Sequence, residues 1–314
     1  MNEHMTIFDV NAYRQLTYGK DIDESISIME KIKSLEDKKK LQAYCSPFVP
    51  VELAYHLCDS NDPAFANCKS ALVANYIHTS PSSNSFRLLA EKESLVMAFL
   101  FNVRQHPHKN LIESIFKMAT DLIDDHSNDP SNSSYCSLIE SSVKKAEQDF
   151  IDNVLLALKE IDPNFDGIET FKNNKEGRKV ALSSLENSGH ALKIAFGLVL
   201  SAHRELEIDP NHEDIDRMTI DILRIFKAPI KFYHKLLYKL VMASKINMHS
   251  KGGKWGNWFW DIEHTFSVTN SLIDSRIPIM VSNDKQLYDN LLEVYDSDRV
   301  YKLDEYLEYI GFPA

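Results

Sequence analysis

The sequence predicts an α/β fold whose parallel sheet is assembled from both terminal segments and interrupted by a mostly α-helical insertion. Two observations carry this expectation. Apolar runs and helical patterns follow one another in β-α-β order within residues 1–60 and again within 255–314, the order that favours parallel strands joined by crossovers. Between them, residues 86–243 read almost entirely as helix. The expected division is a sheet domain made of 1–60 and 255–314, with 61–254 inserted as a helical bundle.

Taken in chain order, Met5–Phe8 is a short apolar run ending at Asp9, and Tyr44–Val49 is a second, ending at Pro50; both read as buried strands. Pro50 suits the first turn of a helix that Val51, Leu53, Ala54 and Leu57 continue to residue 59, so Glu52 is expected in that first turn. The helical middle is punctuated by loops rich in Asp, Asn, Ser and Pro at 80–85, 125–135, 162–168 and 207–214. Within 141–161, Val143, Ala146, Phe150, Val154, Leu158 and Ile161 recur at steps of three and four, which makes one buried face. Ile225, Phe226, Ile230, Tyr233, Leu237 and Leu240 repeat the pattern, with Pro229 expected as a kink or break. Residues 251–257 hold three glycines and read as a loop, 261–273 as a helix, 276–282 as a strand, 285–295 as a helix and 299–303 as a last short strand.

Composition narrows the class. A chain of 314 residues with 44% hydrophobic and 10% aromatic residues can bury a substantial core. The apolar stretches at 191–202 and 236–243 are too short and too interrupted by charge to span a bilayer, and Met1–Val10 lacks the pattern of a signal peptide. A cytoplasmic location is expected. The four cysteines form no C-x-x-C pair, so they read as free thiols. A formal charge of −11 argues against coating nucleic acid through bulk positive charge. Locally the balance reverses: from Ile222 to Trp260 there is no Asp or Glu, while Arg224, Lys227, Lys231, Lys235, Lys239, Lys245, Lys251 and Lys254 all fall inside.

In a parallel α/β sheet, ligands bind outside the carboxyl ends of the strands, where the following helices begin. Asp9 follows the first strand, Asp284 follows the strand at 276–282, and Glu52 opens the helix after the second strand. Asp261 begins the helix leading into 276–282 and so belongs to the same edge, whereas Asp274 ends that helix at the opposite one. Four gathered carboxylates repel one another unless a cation neutralises them. Oxygen-only ligands select Mg²⁺ or Mn²⁺, and such an ion can activate water for in-line attack on a phosphodiester. Asp9, Glu52, Asp261 and Asp284 are the expected metal ligands and catalytic residues, with Asn11, Ser282, Asn283 and Lys285 as supporting or phosphate contacts.

The motifs around these acids resemble the PIN-domain family. Ile7-Phe8-Asp9-Val10-Asn11 is similar to the family's opening D-x-N after hydrophobic residues, and Val49-Pro50-Val51-Glu52-Leu53 to its second-acid helix. The segment from Ile279 to Leu287, Ile-Met-Val-Ser-Asn-Asp-Lys-Gln-Leu, resembles the final acid after a strand, written V-T-x-D-x-x-L, and Asp261, 23 positions before Asp284, fits the remaining one. The resemblance covers about a third of the chain and leaves out the helical insertion. It implies a three-layer α/β/α sandwich, Mg²⁺ or Mn²⁺ dependence and RNA cleavage of the VapC type. It also implies a toxin-like role with an antitoxin-like or regulatory partner.

Beside this site stands the basic segment. Lys227, Lys231, Lys235 and Lys239 fall four apart and form a stripe on one helix, leading to Lys254 and a cluster of tryptophans in which Trp258 could stack a base. The same stripe fits a solvated helix face. His56 and His264 lie near the acids in sequence and are left out of the metal set. There is no H-E-x-x-H, no phosphate-binding G-x-x-x-x-G-K-[ST], no G-x-S-x-G and no G-x-G-x-x-G. The expectation is a metal-dependent endoribonuclease. Its alternatives are a non-catalytic RNA- or protein-binding module on a degenerate scaffold and a DNA-directed nuclease. A second copy of the chain is a further partner to be considered.

Overall fold

A computed structural model describes residues 4–82, 85–105, 108–165, 171, 174–186, 189–209, 211–243 and 254–313. The first strand, β1 (His4–Phe8), is buried on both faces, with Met5, Thr6 and Ile7 fully excluded from solvent, the pattern of a strand covered on both sides. It leads through α1 (Val10–Leu16) and α2 (Ile22–Lys38) to β2 (Leu41–Ala43). The start of α2 is fixed by reciprocal bonds in which the Glu24 amide donates to Asp21 Oδ1 at 2.8 Å and the Asp21 amide to Glu24 Oε2 at 3.0 Å. Next come α3 (Phe48–Leu57), α4 (Phe65–Thr79), α5 (Lys92–Phe101), α6 (Lys109–Asp124) and α7 (Cys136–Ile161). They are followed by α8 (Lys175–Glu186), α9 (Gly189–Glu205), α10 (His212–Ile225), α11 (Lys227–Met242) and α12 (Lys254–Thr265). The chain then returns to the sheet as β3 (Ile277–Val281), α13 (Lys285–Leu292), β4 (Val300–Tyr301) and α14 (Leu303–Ile310).

The fold is α/β, with one four-stranded sheet in the order β2-β1-β3-β4 and every pairing parallel. Phe8 stands opposite Val281 in register, so the first strand and the strand at 277–281 end together. The chain leaving β1 turns toward β2 on one side, and the chain leaving β3 turns toward β4 on the other. The carboxyl ends of β1 and β3 therefore flank a topological switch point, where open α/β sheets form crevices.

Several boundaries differ from the sequence reading. The strand expected at Tyr44–Val49 is not one: the strand beside β1 is Leu41–Ala43, and the residues past it turn away, the Cys45 amide donating to Arg87 O at 2.7 Å and the Leu89 amide to Cys45 O at 2.9 Å. Helix α3 thus begins at Phe48, which moves Glu52 out of the first turn to its fifth position. Pro229 goes with a break, as expected: one helix ends at Ile225, four residues before it, Phe226 leaves helical geometry, and the next helix starts at Lys227 with Pro229 in its first turn, where the missing N–H costs nothing. Helix α12 starts at Lys254, because Trp258, Ile262 and Phe266 already make a buried stripe at steps of four. Asp261 is consequently the eighth residue of a twelve-residue helix and not at its start.

The chain divides into two compact units. The first comprises Met1–Glu91, Arg104–Val143 and Ser267–Ala314, and the second Lys92–Val103 and Lys144–Phe266. The sequence placed 61–254 together as an insertion. In the structure α4 packs against α1, α2 and α3, and α6 against α3 and α4, so both belong with the sheet. Residues 255–266, expected in the sheet domain, belong instead to the helical unit through the packing of α12 on α11. No helix among the described residues is long and apolar enough to cross a membrane.

Candidate functional site

At the carboxyl end of β1, Asp9 caps α1: its Oδ1 accepts from the Ala12 amide at 2.6 Å. At the end of β3, Asp284 caps α13 in the same way, its Oδ1 accepting from the Leu287 amide at 2.8 Å. One hydroxyl joins the two. Ser282 donates to Asp9 Oδ2 and accepts from the Asp284 amide at 3.1 Å. Backbone bonds hold this junction, with the Asp9 amide on Val281 O and the Ser282 amide on Tyr301 O, both at 3.0 Å. Ser282 and Asp9 are 0% and 2% exposed, whereas Asp284 is half-buried.

Over this junction lies an open cleft of about 620 Å³ lined by Asn11, Arg14, Gln15, Tyr18, Asn67, Asn283, Asp284 and Lys285. Asn11, Arg14, Gln15 and Tyr18 fall at i, i+3, i+4 and i+7, so they share one face. Asn283 ties the edge together: its amide donates to Gln15 Oε1, and its carbonyl accepts from the Leu303 amide at 2.9 Å. Lys285 is well exposed and pairs with Asp289 at 2.5 Å. Arg14 was not singled out by sequence, although its place on the Asn11–Tyr18 face could have marked it. Its Nε is buried without a hydrogen-bond partner.

Around Arg14 the charges are mixed. Burial pushes the Cys68 thiol up to about 12, with Arg14 opposing that rise and Glu52 and Asp62 adding to it. Burial likewise works against the charged form of Asp62. The hydrogen bonds from His56 and the Ala64 amide, with the charges of His56 and Arg14, outweigh it and hold that carboxyl below its ordinary range. Glu52 is half-buried in this neighbourhood and does not line the cleft. His56 pairs with Asp62 at 2.8 Å.

The structure thus brings Asp9, Asn11, Ser282, Asn283, Asp284 and Lys285 to one edge. Glu52 lies in the same unit away from the cleft, and Asp261, 9% exposed, lies in the other unit with His264. Among the described residues no three His, Cys, Asp or Glu side chains form a group able to hold a metal ion. No family model, curated protein or solved structure matches this chain.

Lys227, Lys231, Lys235 and Lys239 run along α11 in the helical unit; the first and last are exposed and the middle two half-buried. Lys254 begins α12, while Lys245 and Lys251 lie outside the described residues. Trp258 is 7% exposed, packed 4.9 Å from Phe232 with the Lys239 ammonium 4.4 Å over its ring. Its place on the buried stripe of α12 corrects its expected role as a stacking surface.

Beneath the site lies a buried network that the sequence did not announce. Glu36 Oε2 is 2.9 Å from His78 Nε2, and His78 Nδ1 is 2.9 Å from the Tyr13 hydroxyl. Glu36 Oε1 accepts from the Tyr306 hydroxyl at 2.5 Å and from Thr6 Oγ1 at 3.1 Å. All five side chains are at most 2% exposed.

Proposed function

We propose that the carboxyl-edge site is a metal-dependent nuclease centre with a PIN-like active edge, acting on RNA phosphodiesters. The observation that carries this reading is the Asp9–Ser282–Asp284 junction: two acids from strands far apart in sequence, linked by one hydroxyl at the switch point and beside a cleft carrying Arg14 and Lys285. The donor set is hard oxygen only, and Mg²⁺ characteristically takes one or two carboxylates, keeps several waters and adds substrate phosphate. On this reading Asp9 and Asp284 would hold the ion, which when bound would neutralise phosphate charge and lower the pKa of coordinated water. Ser282 ties the Asp9 carboxylate to the backbone of Asp284. Arg14 and Lys285 supply positive charge for a phosphate, and the amides of Asn11 and Asn67 can orient it. Nothing in the proposal rests on Glu52 or on Asp261.

The test uses Asp9→Asn and Asp284→Asn, each checked for retained fold by circular dichroism, in cleavage of single-stranded RNA with Mn²⁺. Both should lose more activity than the about 10–100-fold typical of losing an outer-shell partner. Parental rates from both would overturn the assignment. Single-stranded DNA in the same assay distinguishes the DNA-directed alternative. A non-catalytic binding module is favoured by a separate observation, that both carboxylates already serve as helix caps. It predicts metal-independent RNA binding that Arg14→Gln weakens and Asp284→Asn does not.

A further inference from the structure

The helical unit contains a second cavity, of about 330 Å³, in the size range of small-molecule sites. Its floor is apolar and aromatic: Phe150, Ile230, Ile262 and Phe266 are each at most 9% exposed. Its mouth lies at Leu156 and Gly197, both exposed. Gly197 stands in mid-helix in α9, where glycine costs about 1 kcal/mol relative to alanine. Beyond its chain neighbours and its own helix backbone, no atom lies within 4 Å of where its Cβ would be, so no close approach of another element calls for it. Gly197 lines the cavity, with open space where a side chain would stand.

Two polar features face the same space. Lys92 is neutralised twice, by Glu263 at 2.9 Å and Glu93 at 3.1 Å. With Glu160 and Lys193, the formal charges lining the cavity are two positive and three negative, so an anionic ligand is disfavoured. His190 is 7% exposed, and its Nε2 is buried without a hydrogen-bond partner, an arrangement that is unfavourable unless something supplies the bond. Burial, with the charges of His234 and Lys193, pushes this imidazole down to about 4, so it is neutral at physiological pH. A hydroxyl both donates and accepts, and it can therefore pair with Nε2 in either tautomer.

We infer that this cavity is a binding site for a small uncharged hydroxylated ligand with a flat or branched apolar body, held by the Phe150–Ile230–Phe266 floor and by His190 Nε2. The site is independent of the carboxyl-edge centre. The full chain is titrated with 2-naphthol, followed by its own fluorescence, beside naphthalene and 2-naphthoate. The expected result is saturable one-site binding of 2-naphthol. Naphthalene and 2-naphthoate should bind at least about tenfold more weakly, the worth of one good hydrogen bond or one unfavourable charge. Gly197→Leu, at an exposed helical position, fills the mouth and should weaken 2-naphthol at least about tenfold with unchanged helix content. His190→Leu should erase the preference for 2-naphthol over naphthalene. Absence of saturation, parental affinity in Gly197→Leu, or equal binding of the carboxylate would each overturn the proposal.

Discussion

Glu36 shows what one buried charge contributes. Burial alone would raise its carboxyl. The charge and hydrogen bond of His78 and the hydroxyls of Tyr306 and Thr6 outweigh that, holding it below the ordinary carboxylate range. The unfolded chain therefore binds a proton at a pH where the folded chain does not. Glu36 then contributes stability that is fully present above about pH 4.3 and lost as pH falls through its lower folded value. Replacing it with Gln should cost about 2–4 kcal/mol at pH 7, measured by denaturant titration, and the gap between parent and variant should close on acidification below about pH 4. A gap independent of pH would remove the charge from the account. Asp9 and Asp284 were legible because each follows an apolar run that could only be a strand end. Glu36 was not, although the sign was present: Ile22, Ser25, Met29, Ile32 and Glu36 are the buried positions of α2, at steps of three, four, three and four. A glutamate on the inward stripe looks, in sequence, like one more member of a solvated face.

Helical periodicity located most elements and misjudged their ends. In α12 the apolar stripe begins inside a tryptophan-rich stretch that its neighbouring glycines made look like a loop, and this displaced Asp261 from the helix start on which its assignment depended. The four-residue spacing of lysines on α11, by contrast, was read as it stands. If RNA runs along that helix, replacing Lys231, Lys235 and Lys239 by Gln should reduce the slope of log affinity against log salt by about 2, at about 0.7 per phosphate contact for a single strand. Fluorescence anisotropy across a salt series measures it. An unchanged slope would leave the stripe as a solvated face.

For the molecule as a whole, period and composition reveal that a segment is helical but not which core it joins. Helices α4 and α6 fall within the expected insertion, yet Leu72, Val73, Ile112, Ile115 and Leu122 are fully buried in the sheet unit. Each such side chain is worth about 1.5–3 kcal/mol, so their combined loss is comparable to the about 5–15 kcal/mol that holds a typical domain folded. A chain in which residues 61–254 are replaced by a short flexible linker should accordingly show no cooperative thermal transition by circular dichroism. A sharp melt would mean that the two terminal segments suffice.

The pairing of β1 with β3 brings Asp9 and Ser282, 273 positions apart, side by side just past its end. A ribosome makes the chain from its beginning, at about 5–20 residues per second. Met5, Ile7 and Phe8 therefore emerge long before their neighbours at 277–281 exist, while Lys92–Val103 and Lys144–Phe266 are complete earlier. On that edge the nascent strand waits unpaired until a stretch made more than 260 residues later closes over it.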